Sequence, residues 1–333
     1  MNPRVLVLNT GGTIGMCRSP DGYRPMAGFG ERLAGMLHVR TLPAFEVVEI
    51  EEPIDSANLQ PAHWSRIARE LLKRWDDYSG FVVLHGTDTM AWSASALSFM
   101  LRGADKPVIL TGAQIPLVEP RSDALGNLEA ALLFAAGGQV REVCICFGRH
   151  LLRGNRSSKM ASMDFDAFGS PNFLPLADIG IDIVLHRERL LPAAARAFRV
   201  PELGADAVAV ITLHPGISAR IVQPVLADAA VRGVILRSYG VGNAPDADQQ
   251  LMAVLKAAVA RGVVIVNTTQ CVTGRVAQGA YATGATLSRV GVTPGADMTL
   301  ESAFAKLHFL LATEPDADAV RLRLGQSLCG ELS

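Results

Sequence analysis

Four short stretches of this chain set glycines beside groups able to do covalent or proton-transfer chemistry. They are Asn9-Thr10-Gly11-Gly12-Thr13-Ile14-Gly15, His85-Gly86-Thr87-Asp88-Thr89-Met90, Thr111-Gly112-Ala113-Gln114, and Arg153-Gly154-Asn155-Arg156-Ser157-Ser158-Lys159. Glycines let backbone N–H groups approach a ligand closely. A threonine hydroxyl placed there is a candidate nucleophile if a neighbour takes its proton, which makes Thr13 the residue of interest. The plainer reading of that loop is a dinucleotide-binding turn, but the spacing is GGxxG rather than GxGxxG and no acidic residue closes a second strand about 20 residues on. No Gly-Lys-Ser/Thr follows, so a P-loop is a poor fit as well. In the second stretch Asp88 either caps a helix or projects with Thr87 into a cleft and holds a lysine near a hydroxyl. Lys159, in a polar Gly/Ser loop, is the partner for that second arrangement; a partly desolvated lysine can serve as a base, whereas a solvated one is only surface charge. His85 comes straight off an apolar strand and reads as a satisfied core histidine rather than a base. The other six histidines show no ligand spacing, which disfavours a metal site. No GxSxG elbow is present.

The elements that must position these groups alternate along the chain. Residues 5–8, 81–84, 107–110, 143–147, 208–213, 234–237 and 263–266 are short apolar, mostly β-branched runs and read as buried parallel strands. Amphipathic helical patterns cover 61–75, 89–101, 123–136, 247–260 and 301–312, with Pro61 suited to a first helical turn. Strand–helix alternation predicts an α/β fold built on a parallel sheet. Ligands of such sheets bind beyond the carboxyl ends of the strands, and that is where all four stretches fall. Residues 186–206, rich in Ala, Arg and Pro, break the rhythm and read as a linker. It separates a larger N-terminal α/β domain, 1–185, from a smaller C-terminal α/β domain, 207–333.

Composition narrows the field. The 333 residues are 49% hydrophobic and 19% charged, enough for a sizeable core. Thirty-one basic against 32 acidic side chains leave a net charge of −1, with no electrostatic footprint for nucleic acid or an anionic membrane. No uninterrupted apolar run is long enough to span a bilayer. The five cysteines are scattered, odd in number and without a CxxC pair, so neither a zinc site nor a disulfide framework is suggested. With no secretory leader recognisable at the start, the cytoplasm is the expected compartment.

Taken together, Thr10-Gly11-Gly12-Thr13-Ile14 and His85-Gly86-Thr87-Asp88-Thr89-Met90 resemble the two signature motifs of the bacterial-type L-asparaginase family. The likeness continues through Thr111-Gly112-Ala113-Gln114-Ile115-Pro116, Arg121-Ser122-Asp123, Arg153-Gly154-Asn155-Arg156, Ser238-Tyr239-Gly240-Val241-Gly242-Asn243-Ala244-Pro245 and Tyr281-Ala282-Thr283-Gly284, nearly the whole chain. Its cytoplasmic (type I) branch is the better match. The resemblance implies hydrolysis of L-asparagine to L-aspartate and ammonia, with no cofactor and no metal. It implies Thr13 as nucleophile, Tyr23 as its helper from a mobile flap, and Thr87, Asp88 and Lys159 as a second triad. Gly12 and Gly86 would bring backbone against the substrate, while Asp55 and Ser56 grip its α-amino and α-carboxylate groups. Asn243 would come from the facing subunit, so that active sites are shared in a homodimer or a dimer of dimers. Ala57, after Ser56, stands where relatives are often polar and cannot bond the α-amino group. Which of Thr13 and Thr87 attacks first is left open by the sequence.

Arg237 and Cys271 follow two C-terminal strands, with Ser158 as a third member; they read either as a second carboxylate site between subunits or as structure. Competing activities are a glutaminase–asparaginase and the amidase subunit of a tRNA-dependent amidotransferase, the latter usually carrying an extension before its first motif. A nicotinamide-dependent oxidoreductase and an inactive amino-acid-binding module are the other classes.

Overall fold

A run such as Val5–Leu8, apolar on both faces, needs cover on both sides, and helices provide it. The computed structural model describes residues 4–20, 22–26, 28–37, 42–279 and 282–333. The N-terminal unit runs β1 (Arg4–Asn9), β2 (Met16–Ser19), β3 (Gly22–Pro25), α1 (Phe29–Leu37), β4 (Ala44–Glu49), α2 (Pro61–Leu72), β5 (Gly80–Leu84), α3 (Met90–Met100), β6 (Val108–Thr111), α4 (Ala124–Gly137), β7 (Val143–Phe147), β8 (His150–Arg153), β9 (Ser158–Lys159), β10 (Phe168–Gly169), β11 (Ala177–Ile179) and β12 (Ile183–Leu185). Its main sheet has the order β12-β11-β8-β7-β6-β5-β1-β4. Pairing is parallel from β4 across to β7. From β7 to β12 it is antiparallel.

The antiparallel edge departs from a purely parallel expectation, and the cause is local. Gly148, at φ 57°, lets the chain reverse in a tight turn, so that Phe147 pairs with His150 and β8 runs back along β7. Among the strands read from sequence, β4 is also missing. Its run AFEVVE mixes glutamates with Phe45, Val47 and Val48 because it is a half-exposed edge strand. Met16–Pro25, where a flap was expected, forms the hairpin β2–β3.

Helices α2 and α3 set the loops at the upper edge of the sheet. Gln60 and His63 form a capping box at the start of α2, with Pro61 at its first position. That helix buries Trp64, Ile67, Ala68 and Leu71. Ten of the eleven residues of α3 are buried, so it is an interior helix, and each large side chain such as Leu97 or Phe99 contributes about 1.5–3 kcal/mol of burial.

Contacts divide the chain between Val200 and Pro201. Within the segment read as a linker, Ala197 and Arg199 donate to the carbonyls of Arg102 and Met100, and Arg196 pairs with Asp105, so residues 196–199 lie against the end of α3. The C-terminal unit comprises β13 (Val208–Thr212), α5 (Ala219–Ala227), β14 (Gly233–Ser238), α6 (Gln249–Ala260), β15 (Val264–Thr269), α7 (Ala282–Arg289), β16 (Thr293–Pro294), α8 (Leu300–Thr313) and α9 (Ala317–Leu324). Strands β13 to β16 form a parallel sheet in sequence order. Beneath it Lys306 of α8 is fully buried, with Nζ 2.5 Å from Glu331 and bonded to the carbonyls of Leu324 and Gln326; Glu331 in turn accepts the N–H groups of Leu328 and Cys329.

Candidate active site

In the parallel part of the large sheet, β1 is followed by β4 on one side and by β5 on the other. The order therefore reverses between β1 and β5, and a crevice is expected at their carboxyl ends. The loops leaving those ends are bound to one another. Thr10 donates to Leu84 O through both its N–H, at 3.0 Å, and its hydroxyl, at 2.7 Å. His85 N–H donates to Thr111 O at 2.9 Å, tying β5 to β6. Glycine is required where the loops touch: a Cβ on Gly12, at φ 95°, would lie 2.4 Å from Gly86 N, and one on Gly86 would lie 2.4 Å from Ser56 Oγ. Thr89 Oγ1 donates to Ser56 O at 2.8 Å. Residues 10–15, 54–58 and 85–89 thus interlock.

Thr87 and Asp88 open the turn that leads into α3. The alternative of Asp88 as a cap is not what the structure contains, since neither Gly86 nor Thr89 heads this turn or helix with a side-chain cap bond. Instead Lys159 Nζ donates to Thr87 Oγ1 at 2.8 Å and to Asp88 Oδ1 at 2.7 Å. Thr87 is buried, the Lys159 side chain is mostly buried, and Asp88 remains 65% exposed. The Thr87 hydroxyl donates in turn to Gln114 Oε1 at 3.2 Å. Spacing alone gives Gln114 no role. Its amide nitrogen donates to Asp164 O at 3.0 Å, and its backbone N–H is held by Asp123, which also takes the N–H of Ile115. The signal for it is its place at the end of β6, beside two other chemistry-bearing strand ends.

Chemically this is an ammonium between a hydroxyl and a carboxylate. For Lys159 to accept a proton from Thr87 it must first lose one, and the Thr87 hydrogen must swing from Gln114 to Nζ. Thr13 follows the Gly12–Gly86 contact directly and opens a short helical turn; among the described residues its hydroxyl has no hydrogen-bond partner. Asp55 faces its own turn, accepting from Ala57 N at 3.1 Å, and the adjacent Ser56 is buried against Gly86.

The other expected members have the following surroundings within their own units. Tyr23 sits on β3, 47% exposed, with Arg18 over its ring, and among the described residues no hydrogen bond joins it to Thr13. Asn243 belongs to the C-terminal unit, where it bridges Tyr239. Arg237 is the penultimate residue of β14, opposite Thr268, the exposed Cys271 follows β15, and Ser158 lies in the other unit, paired with Gly169. Tyr281 and Asp21 lie outside the described residues. His85 is buried, and desolvation lowers its pKa to about 4, so it is neutral. Among the described residues no group of three or more His, Cys, Asp or Glu side chains stands together as a metal site would need. No helix among them is long and apolar enough to cross a membrane.

Residues 4–191 match the model of the N-terminal domain of asparaginase, and residues 207–323 match that of the glutaminase/asparaginase C-terminal domain. The chain is 45% identical to L-asparaginase 1 of Escherichia coli, over 99% of this chain and 98% of that one. It superposes on the crystal structure of L-asparaginase I from Vibrio cholerae with a TM-score of 0.91 and 42% identity, covering all of both chains. A component of the glutamyl-tRNA(Gln) amidotransferase of Methanopyrus kandleri is 34% identical over 99% of this chain and 75% of that protein.

Proposed function

The chain belongs to the asparaginase family, and on that premise we propose that it hydrolyses L-asparagine to L-aspartate and ammonia through an acyl-enzyme on a threonine. The observation that carries the reading is Lys159, whose Nζ joins Thr87 and Asp88 beside the Gly12–Gly86 contact. Thr13 attacks the side-chain carbonyl; its oxygen forms the new ester bond, the C–N bond breaks, and ammonia leaves carrying a proton. Water then attacks the ester, releases aspartate and returns the hydroxyl. Backbone N–H groups near Gly12 and Thr87 stabilise the oxyanion at each stage, one such donor being worth roughly 10²–10³ in rate. Thr87 and Lys159 move the protons, with Tyr23 reaching Thr13 when the β2–β3 hairpin closes. Gly86, Asp55 and Ser56 receive the amino-acid end of the substrate.

Ammonia release from L-asparagine, L-glutamine and D-asparagine tests this. We expect turnover of the first to dominate and Thr13→Ala to abolish it with the fold intact. Near-normal activity in that variant removes Thr13 as nucleophile. Glutamine as the better substrate would favour a glutaminase–asparaginase. The amidotransferase reading is weaker on similarity, 34% against 45%, with a quarter of that protein unmatched.

The active enzyme is a homo-oligomer in which Asn243 completes the site of the facing subunit. It works in the cytoplasm, a location supported by five free cysteines, two of them buried. Arg237, whose Nε is buried without a hydrogen-bond partner among the described residues, belongs with Cys271 and with Ser158 of a neighbouring subunit to a second site for an amino-acid carboxylate, between subunits. Hyperbolic kinetics with no second bound ligand would remove that site.

A further inference from the structure

Behind the interlocked loops a directed chain of hydrogen bonds runs from the core to one peptide group. Trp64 Nε1–H donates to Ser93 Oγ at 3.1 Å, Ser93 Oγ lies 2.9 Å from His85 Nε2, and His85 Nδ1 lies 2.8 Å from Gly86 O. Both ends have a fixed sense. A carbonyl only accepts, so Nδ1 carries the proton and Nε2 is left as an acceptor; an indole N–H only donates. Ser93 therefore accepts from Trp64 and donates to His85. All three side chains are buried, and desolvation keeps the imidazole neutral above about pH 4.

What the chain holds is the Gly86–Thr87 peptide. It is trans and planar, so the Gly86 C=O and the Thr87 N–H point in opposite directions. With the carbonyl drawn onto His85, the N–H points away from the Trp64–Ser93–His85 core. Thr87 opens a helical turn, and its N–H has no partner inside that turn. Gly86 has no side chain with which to hold its own plane, because Ser56 and Gly12 occupy the space a Cβ would need.

We propose that His85 is a positioning residue: by donating to Gly86 O it sets the Gly86–Thr87 peptide plane, and with it the direction of the Thr87 N–H and the seat of the Thr87 hydroxyl on Lys159. The proposal rests on the reading of Thr87 as part of the reacting machinery. It separates two readings of a buried histidine next to an active-site loop, one that fills space and one that aims a backbone donor.

Two amide variants distinguish them. In His85→Asn the carboxamide nitrogen takes the place of Nδ1 and can still donate to Gly86 O. In His85→Gln the longer side chain reaches Ser93 and gives up Gly86. For L-asparagine we expect kcat of the Asn variant within about tenfold of wild type and that of the Gln variant down by about 10²-fold, the effect of a misplacement near 1 Å, with KM little changed in both. The order of kcat should not follow the order of melting temperatures. Should the Gln variant not fold, Ser93→Ala, which leaves the imidazole but removes its partner at Nε2, should lower kcat by about tenfold with KM kept. Equal losses in the two amide variants, or a wild-type kcat in Ser93→Ala, overturn the proposal. If the wild type itself released no ammonia from any amide, the functional reading would fail on its own. The crystal structure of His85→Gln then still decides, since an unmoved Gly86–Thr87 peptide refutes the positioning role and a rotated one supports it.

Discussion

A single methyl group at Gly86 should disable this enzyme, and the reason lies in two atoms of Ser56. The backbone at Gly86, φ −67° and ψ 141°, suits alanine, so Gly86→Ala introduces no dihedral strain. Its Cβ, however, would sit 2.4 Å from Ser56 Oγ and 2.5 Å from Ser56 Cβ, where ordinary contact begins at 3.4 Å, so one side must retreat by about 1 Å. Ser56 is the less free to move: Thr89 holds its carbonyl, and the turn 55–58 is closed by Asn58 N–H on Asp55 O. The displacement therefore falls on Gly86 and on Thr87 after it. A shift near 1 Å costs about 10²-fold in kcat, or about 2.7 kcal/mol of barrier, while overpacking lowers stability by about 1–3 kcal/mol. Ser56→Gly removes both obstructing atoms. Because Ser56 is itself assigned to substrate binding, the comparison that matters is the cost of the methyl in each background, read from steady-state ammonia release. In the Ser56→Gly background Gly86→Ala should cost less than about fivefold, a coupling of more than 1 kcal/mol. Gly12→Ala should not be rescued this way, because its Cβ meets the backbone of Gly86 and its φ is 95°. Equal cost of the Gly86 methyl in both backgrounds would refute the steric argument.

Two further outcomes follow from the same geometry. Lys159→Met removes the group between Thr87 and Asp88 and should lower kcat by roughly 10²–10⁴-fold with KM nearly kept; a change in KM alone would mean that Lys159 only binds substrate. Burial holds His85 and His308 neutral down to about pH 4, whereas an unfolded chain titrates them near 6.5. The unfolded state binds more protons between those values, so stability is lost as pH falls from 6.5 towards 4, by about 2 kcal/mol per histidine at pH 5. Urea titrations giving equal stability at pH 7 and pH 5 would contradict it.

Much of this arrangement is legible in the residues. Val5–Leu8, Phe81–Leu84 and Val143–Phe147 are apolar on both faces because the strands are covered on both faces, and strand ends loaded with Gly, Thr, Asp and Lys mark the crevice. The less legible parts are those whose burial is one-sided or whose order is set at long range. The half-exposed β4 carries glutamates within its run, so no apolar block announces it. The reversal at Gly148–Arg149 is two residues long, and the three short antiparallel strands after it are held by pairing with β7 and with one another. Spacing does not place Gln114 on Thr87, nor Asp123 on the backbone of Gln114, since they arrive from the far end of β6 and the start of α4. His85 was legible as a core residue, but nothing in the string of letters told that its proton faces Gly86.

The ammonium enclosed under the C-terminal sheet bears on how this chain tolerates cuts. Its counter-charge is Glu331, whose carboxylate is held by the N–H groups of Leu328 and Cys329. Removing that carboxylate, by Glu331→Ala or by a cut before it, would leave a buried cation with only the carbonyls of Leu324 and Gln326 as partners, at a cost of about 3–5 kcal/mol, a large part of an ordinary domain's stability. Segment 328–331 is thus a plug rather than a loose thread, and losing it would threaten the whole C-terminal unit.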